Sequence, residues 1–447
     1  MAFFSEYGCN SPEHERRNFL KIAAAGGLSL LTPVAKSLAR EHGDRKIKTA
    51  KSLIVLWLEG APSQLETFDP HPGTEIAAGS KARKTNVPGI QIGDGFEQTA
   101  EQMDSISLVR AVTSKEGDHA RAIYNLKTGF RPDTTLVHPA IGSVICHQDQ
   151  VGSMIDIPRF ISILPGEFPS RGGYLGDHYD AFKMGDPVKP VPDVRSSVDR
   201  KRELQRIADL RVVDGAFRNR QSNNSVFKRK LENHNLDAAL KMMSSEQLDA
   251  FDVSQEPESL RGEFGDTPFG RGCLAAIRLI SAGVRCVEVS LGGWDSHVNN
   301  HELQASRIKI LDPAFASLIR VLKERKLLDS TMVVCGGEFG RTPFLNSVAG
   351  RDHWPHGFSI AMAGGGIQGG RVVGETNPDP KRDAGNGLDD LKNPHGVEDI
   401  HATILQALGV KYHQELDTPV GRPMKICEGN AIKQLSLIHI SEPTRPY

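Results

Sequence analysis

The sequence predicts an α/β fold, with a mostly parallel central sheet, helices on both faces and a helical insertion. Three observations carry that expectation. Continuous apolar runs end in polar or Gly-rich residues, as buried parallel strands do when they feed a loop. Amphipathic helical stretches fall between those runs. A segment from about 180 to 265 changes character and becomes rich in Arg, Lys, Asn, Glu and Gln.

The first strand is Ser52 to Leu58, closing on Glu59-Gly60. Similar runs follow at Ser107 to Val112, Val284 to Leu291 and Thr331 to Cys335. Helical periodicity covers Gly270 to Ala282, with Cys273, Ala276, Ile277 and Ile280 on one face. It recurs from Ile308 to Leu322, with Leu311, Phe315, Leu318 and Leu322. The charged segment carries two further helical stretches, Val198 to Leu210 and Leu236 to Leu248. It reads either as a solvated helical hairpin or as a lid over a site.

Both ends need separating from the fold. Arg16-Arg17-Asn18-Phe19-Leu20-Lys21, an apolar stretch from Ile22 to Ala35 and Ser37-Leu38-Ala39 read as a twin-arginine export signal over residues 1–39. The alternative, an amphipathic N-terminal helix, fits less well because the apolar run covers every helix face. The signal implies passage through the twin-arginine translocon to the periplasm or another extracytoplasmic site. At the other end, residues 435–447 resemble a translated sequencing-library adapter, leaving 46–434 as the expected domain.

Lys plus Arg number 54 against 55 Asp plus Glu, with no long basic run, so neither nucleic acid nor an anionic membrane is an expected partner. No transmembrane segment is expected in the mature chain. The six cysteines lack metal-knuckle spacing. Cys286 and Cys335, in strand-like runs, read as buried thiols, although an oxidising destination permits a bridge.

Polar residues collect in five clusters, at or near the ends of strands, where an α/β fold places its site. They are Glu59 to Pro70, with Glu66 and Asp69; Thr113 to Arg121, with Asp118 and His119; Gly292 to His301, with Asp295 and His297; Gly336 to Pro343, with Glu338 and Arg341; and Gly350 to His356, with Arg351 and His353. Carboxylates mixed with imidazoles suit a divalent metal, and arginine suits a sulfate or phosphate. An isolated Asp-x-His is more often a loop hydrogen bond than a ligand pair. Trp294 and Trp354 read as packing residues or as sugar-stacking platforms.

The order of these motifs resembles one family. A strand followed by Glu59-Gly60, a helix closing on Thr128-Gly129 with Pro132, then Trp294-Asp295-Ser296-His297, Gly337-Glu338-Phe339-Gly340-Arg341-Thr342-Pro343 and Gly350-Arg351-Asp352-His353-Trp354-Pro355 are similar to the twin-arginine-exported family called domain of unknown function 1501. The resemblance runs from about Ser52 to Ile432 and includes the helix-like Val397 to Gly409. That family is grouped with alkaline phosphatases and sulfatases, which implies an alkaline phosphatase-like fold and a metal site. In the superfamily an Asp follows the first strand, and here Glu59 stands there. Glu338, followed by Phe339, replaces the Asp of an expected Asp-His pair. Ten residues before Gly129, where sulfatases carry the nucleophile, stands His119. Sulfatase chemistry of the formylglycine kind is therefore not expected, unless Thr113, Ser114 or Ser63 reaches the site or a metal-activated water attacks.

The combined expectation is a divalent metal (zinc, calcium, magnesium or manganese) held by Asp295, His297, Glu338 and His353, with Glu59, Asp69, Asp118 and His356 as further ligands. Arg341 or Arg351 would take the anionic group, and His119 would be ligand, general acid or nucleophile. The expected activity is hydrolysis of a sulfate or phosphate ester, on a polysaccharide outside the cytoplasm. The rival is a sulfatase-like binding module for a sulfated glycan or cell-surface partner. A phosphomutase-like transferase ranks last because no phospho-acceptor serine stands out.

Overall fold

A computed structural model describes residues 49–149, 155–192, 194–220, 238–382 and 387–437. The expected export signal lies outside them. From Thr49 onward the chain forms one compact unit.

Its centre is a nine-stranded sheet. In chain order the strands are β1 (Ser52–Leu58), β2 (Ile106–Thr113), β3 (Phe160–Ile163), β4 (Phe182–Met184), β5 (Cys286–Leu291), β6 (Thr331–Gly336), β7 (Phe358–Gly364), β8 (Val372–Val373) and β9 (His395–Gly396). They lie in the order β8-β2-β7-β6-β1-β5-β3-β4, with β9 also paired to β2. β1 runs parallel to β5 and β6, with Leu56 opposite Val289 and Cys335. Among the described residues only β7 opposes its neighbours in this sheet, β2 and β6.

Helices cover both faces, which explains why β1 is apolar at every position. Ile54, Leu56 and Leu58 point into one core, under α4 (Pro268–Ser281) and α5 (Asn300–Glu324). Leu53, Val55 and Trp57 point into the other, with α2 (Ile141–Gln148) and α6 (Val397–Ala407). Alternation would expose one face, whereas a strand sandwiched between two helical layers buries both.

Two features differ from the sequence expectation. β7 was not anticipated: its sequence FSIAMAG has small Ser and Ala residues at Ser359, Ala361 and Ala363, and a register shift between Phe358 and Ile360 interrupts its pairing with β2. The segment read as an insertion includes β4, so the central sheet extends into it. The rest of that segment is mainly helical where described, with α3 (Arg200–Arg220) and a short helix at Glu258–Glu263. The helix expected over Leu236 to Leu248 is described from residue 238 and stops before Ser245, whose side chain accepts from Gln247 N and starts a separate 3-10 turn, Glu246–Phe251.

Cys146, Cys273, Cys286, Cys335 and Cys427 are all buried free thiols. No described helix is long and apolar enough to cross a membrane. Leu435, first residue of the adapter-like tail, is buried, and its carbonyl accepts from Gln368 N at 2.8 Å. Residues 438–447 lie outside the described set.

Candidate metal centre

Parallel strands deliver their C-terminal ends to one edge of the sheet, and four of the polar clusters follow β1, β2, β5 and β6 there. His119 opens α1 (His119–Thr128), whose N-cap Asp118 accepts from Arg121 N. The helix ends on Gly129 in the left-handed conformation, φ 78°. Gly60, at φ +104°, brings the β1 loop so close to the next cluster that a Cβ there would stand 2.7 Å from Asp295 N. His353 is fixed beside Arg341 by a two-residue antiparallel pairing, His353 opposite Arg341 and Trp354 opposite Gly340.

The side chains converge on Asp295 Oδ1. His297 Nε2 lies 3.1 Å from it, His119 Nε2 3.5 Å and His353 Nε2 3.6 Å. Each imidazole is held from behind through Nδ1. His119 meets Glu338 Oε1 at 2.7 Å, His297 meets Asp352 Oδ1 at 2.8 Å, and His353 meets the carbonyl of Gly117 at 2.8 Å. A carbonyl or an ionised carboxylate only accepts, so each Nδ1 carries the proton. In the neutral form of each ring the Nε2 lone pair faces inward.

Arg341 donates to Asp295 Oδ1, while the inward nitrogens face one another. His119 Nε2 is buried without a hydrogen-bond partner, and His297 Nε2 stands 3.0 Å from His353 Nε2, lone pair against lone pair. His119, Asp295 and His353 place one ligand atom each within 4.8 Å of one another, with His297 against two of them. Three imidazoles, each backed by an acceptor, and one carboxylate fit a divalent cation of borderline hardness.

Charge at the site follows from these contacts. The Glu338 hydrogen bond raises the His119 pKa against the pull of burial. Burial pushes Asp295 up, but the hydrogen bond and charge of Arg341, with His119 and His297 behind them, outweigh it and hold the carboxyl below its usual value. Burial lowers His353, favouring the neutral ring.

The other residues named from the sequence fall outside the inner group. Glu338 is almost fully buried and stands behind His119, also accepting from Gly60 N at 3.0 Å. Glu59 accepts from Ser290 Oγ at 3.1 Å, and burial raises its pKa against the nearby Lys127 charge. Asp69 braces a different region, accepting from Thr376 N and Oγ1 at 3.1 and 2.7 Å. Asp118 serves as the N-cap, and His356 lies against Gly387.

Both arginines are buried and engaged internally rather than turned to an anion. Arg341 donates to Ala61 O, Arg351 O, Gly60 O and Asp295 Oδ1. Arg351 donates to Glu66 Oε1 and to the carbonyls of Ile76, Thr342 and Pro343. Trp294 and Trp354 are buried packing residues. Of the hydroxyls, Ser63 is fully buried, Thr113 Oγ1 faces His395 O at 3.4 Å, and Ser114 Oγ donates to Asn125 at 3.3 Å.

Sequence reasoning did not single out Asp352. It lay within the fifth cluster, but its partner His297 is 55 positions away, and no local spacing announces that pairing.

A family described as Protein of unknown function (DUF1501) matches residues 50–436. No curated protein matches the chain. Among solved structures the chain is similar to an alkaline phosphatase from the Antarctic bacterium TAB5, at 12% identity over 82% of this chain and 100% of that one, TM-score 0.36. It is also similar to the PsFucS1 sulfatase from Pseudoalteromonas sp., at 12% identity over 90% and 72%, TM-score 0.37. A third is the lipoteichoic acid synthase LtaP from Listeria monocytogenes, at 10% identity over 84% and 78%, TM-score 0.37.

Proposed function

The chain belongs to the family DUF1501, and from that premise and the geometry of its site we propose a metal-dependent hydrolase of sulfate or phosphate esters, acting on a polysaccharide outside the cytoplasm. The observation that carries the reading is the convergence of His119, His297 and His353 Nε2 on Asp295 Oδ1 at 3.1 to 3.6 Å.

Asp295, His119, His297 and His353 would hold a divalent cation, which would supply Lewis acidity to the ester. Glu338, Asp352 and Gly117 O hold the three rings through Nδ1 with Nε2 turned inward, and Arg341 offsets the charge of Asp295. Thr113 and Ser114 direct their hydroxyls to His395 O and Asn125, and Ser63 is fully buried, which supports attack by water over a covalent enzyme intermediate. Water oxygen bonds to sulfur or phosphorus as the bond to the alcohol oxygen breaks; one proton of the water ends on the alcohol and the other is released.

Export belongs to the same proposal, on the strength of Arg16-Arg17 and the apolar stretch that follows. Twin-arginine carriage moves folded chains, so a metal could be loaded before crossing. Elemental analysis of purified protein tests the reading, with about one divalent metal per chain expected and its loss in Asp295→Ala. Turnover is read on a panel of aryl sulfates and aryl phosphates. Metal-free protein of full stability, with no uptake on metal addition, would sink it.

A further inference from the structure

Asp295 and His297 sit on a loop between β5 and α5, yet side chains that share one cation have to keep one geometry. Exposure alternates along this loop. Trp294 and Ser296 are fully buried, whereas Asp295 and His297 leave 46% and 43% of their side chains exposed. Successive side chains of an extended chain point to opposite sides. A support that grips residues 294 and 296 from the inside therefore sets the direction of 295 and 297 on the outside.

One side chain grips both. Gln304, fully buried just past the first turn of α5, donates from Nε2 to Trp294 O at 3.1 Å and to Ser296 Oγ at 3.0 Å. Its Oε1 accepts from Ser63 N, in the loop after β1, at 3.2 Å. A backbone N–H only donates, so the Ser63 contact fixes which end of the amide is oxygen. Ser296 Oγ gives its own proton to Asn300 Oδ1 at 2.6 Å and takes the Gln304 donor on a lone pair. Both amide protons and the amide oxygen are thereby engaged. The helix that carries them is anchored in the core by Ile308, Leu311 and Phe315, which makes it a rigid support.

We infer that Gln304 is a positioning residue for the metal centre. Acting through Trp294 and Ser296, it holds Asp295 Oδ1 and His297 Nε2 at their 3.1 Å spacing. Through Ser63 it ties the same support to the β1 loop, whose Gly60 packs against Asp295 N. The inference rests on the metal reading of the site and adds the part of the scaffold that sets its affinity. Without the amide, the cation itself would have to order the loop, and that ordering cost weakens binding.

The test is the affinity of the full chain for zinc and for manganese, read by competition with a chromophoric chelator, with urea denaturation of the metal-free protein beside it. Gln304→Met keeps the length of the side chain and removes its donors and acceptor. Its Kd for metal is expected to rise about tenfold or more. Asp312→Ala is the control. Asp312 is buried two turns further along α5 and accepts from Gln98 N and Thr99 N at 3.0 and 2.7 Å, neither of them in the site. That variant is expected to lose stability and keep the wild-type Kd. Unchanged affinity in folded Gln304→Met overturns the inference, and so does a loss matched by Asp312→Ala, which would tie affinity to stability alone. If Gln304→Met does not fold, Ser296→Ala decides, because it removes one of the gripped atoms: weaker affinity supports the inference and unchanged affinity overturns it. If wild type takes up no metal, the metal reading fails, and hydrogen exchange of the segment 293–298 decides the positioning role separately. Faster exchange there in Gln304→Met than in Asp312→Ala supports it; equal exchange overturns it.

Discussion

His297 Nε2 and His353 Nε2 stand 3.0 Å apart although each ring already commits its Nδ1 proton, to Asp352 and to Gly117 O. Two lone pairs at hydrogen-bond distance repel unless a proton or a cation lies between them. That arrangement predicts that a divalent cation stabilises the folded chain. At a free concentration one hundred times its Kd the gain is about 2.7 kcal/mol. Thermal or urea denaturation across a zinc and manganese titration measures it, and Asp295→Ala should abolish the response. Identical unfolding curves with and without metal would contradict the assignment.

The Asp352 carboxylate meets the ring of His297 and orients it. Asp352→Asn keeps the shape but weakens the acceptor that fixes the Nδ1 tautomer. Metal affinity should fall by about 10- to 100-fold, the range seen for such supporting carboxylates. Competition against a chromophoric chelator reads this directly. Because Asp352 is exposed, global stability without metal should change little, which separates positioning from folding.

What the sequence could and could not reveal follows from locality. β1, β5 and β6 were legible because strands buried on both faces are apolar throughout, a property of a few adjacent residues. β7 escaped because its small side chains and shifted register carry no comparable signal. In the site, Asp295, His297, His353 and His119 could be named from their positions near strand ends. The division between inner and outer positions could not. Glu338 lies behind His119 rather than beside Asp295, and Arg341 and Arg351 are consumed by carbonyls and carboxylates 8 to 285 positions away, among them Glu66. Such partners are fixed by loop packing, with Gly60 as one contact point, and no spacing rule encodes them.

Arg351 and Glu66 form a buried pair, with His301 Nδ1 also 3.0 Å from Glu66 Oε1. Burial pushes the Glu66 carboxyl up, but His301 and Arg351 outweigh it and hold the pKa at about 2. Glu66→Ala would leave the Arg351 guanidinium buried without its counter-ion. A loss of about 3–5 kcal/mol is expected, measured as a fall in the urea midpoint. Arg351→Met in the same background should recover part of it, since removing both charges avoids the unpaired one. A Glu66→Ala protein as stable as wild type would show that the pair contributes nothing.

His401 sets a pH dependence that can be isolated from the metal site. It lies on α6, fully buried, with Nε2 donating to Leu126 O at 2.7 Å, and burial drives its pKa down to about 4 from the ordinary 6.5. Between those values the unfolded chain binds a proton that the folded chain refuses. Stability therefore rises with pH through this window, by about 1.4 kcal/mol per unit, is fully present above about pH 6.5, and has lost roughly 3 kcal/mol by about pH 4. Other groups titrate in the same range, so the quantity to measure is a difference. Urea denaturation from pH 7.5 to 4 should give a slope for wild type that exceeds the slope for His401→Gln, with the two curves drawing together as the pH falls. Parallel curves would mean that His401 accepts its proton in place, and that the Leu126 contact does not exclude it.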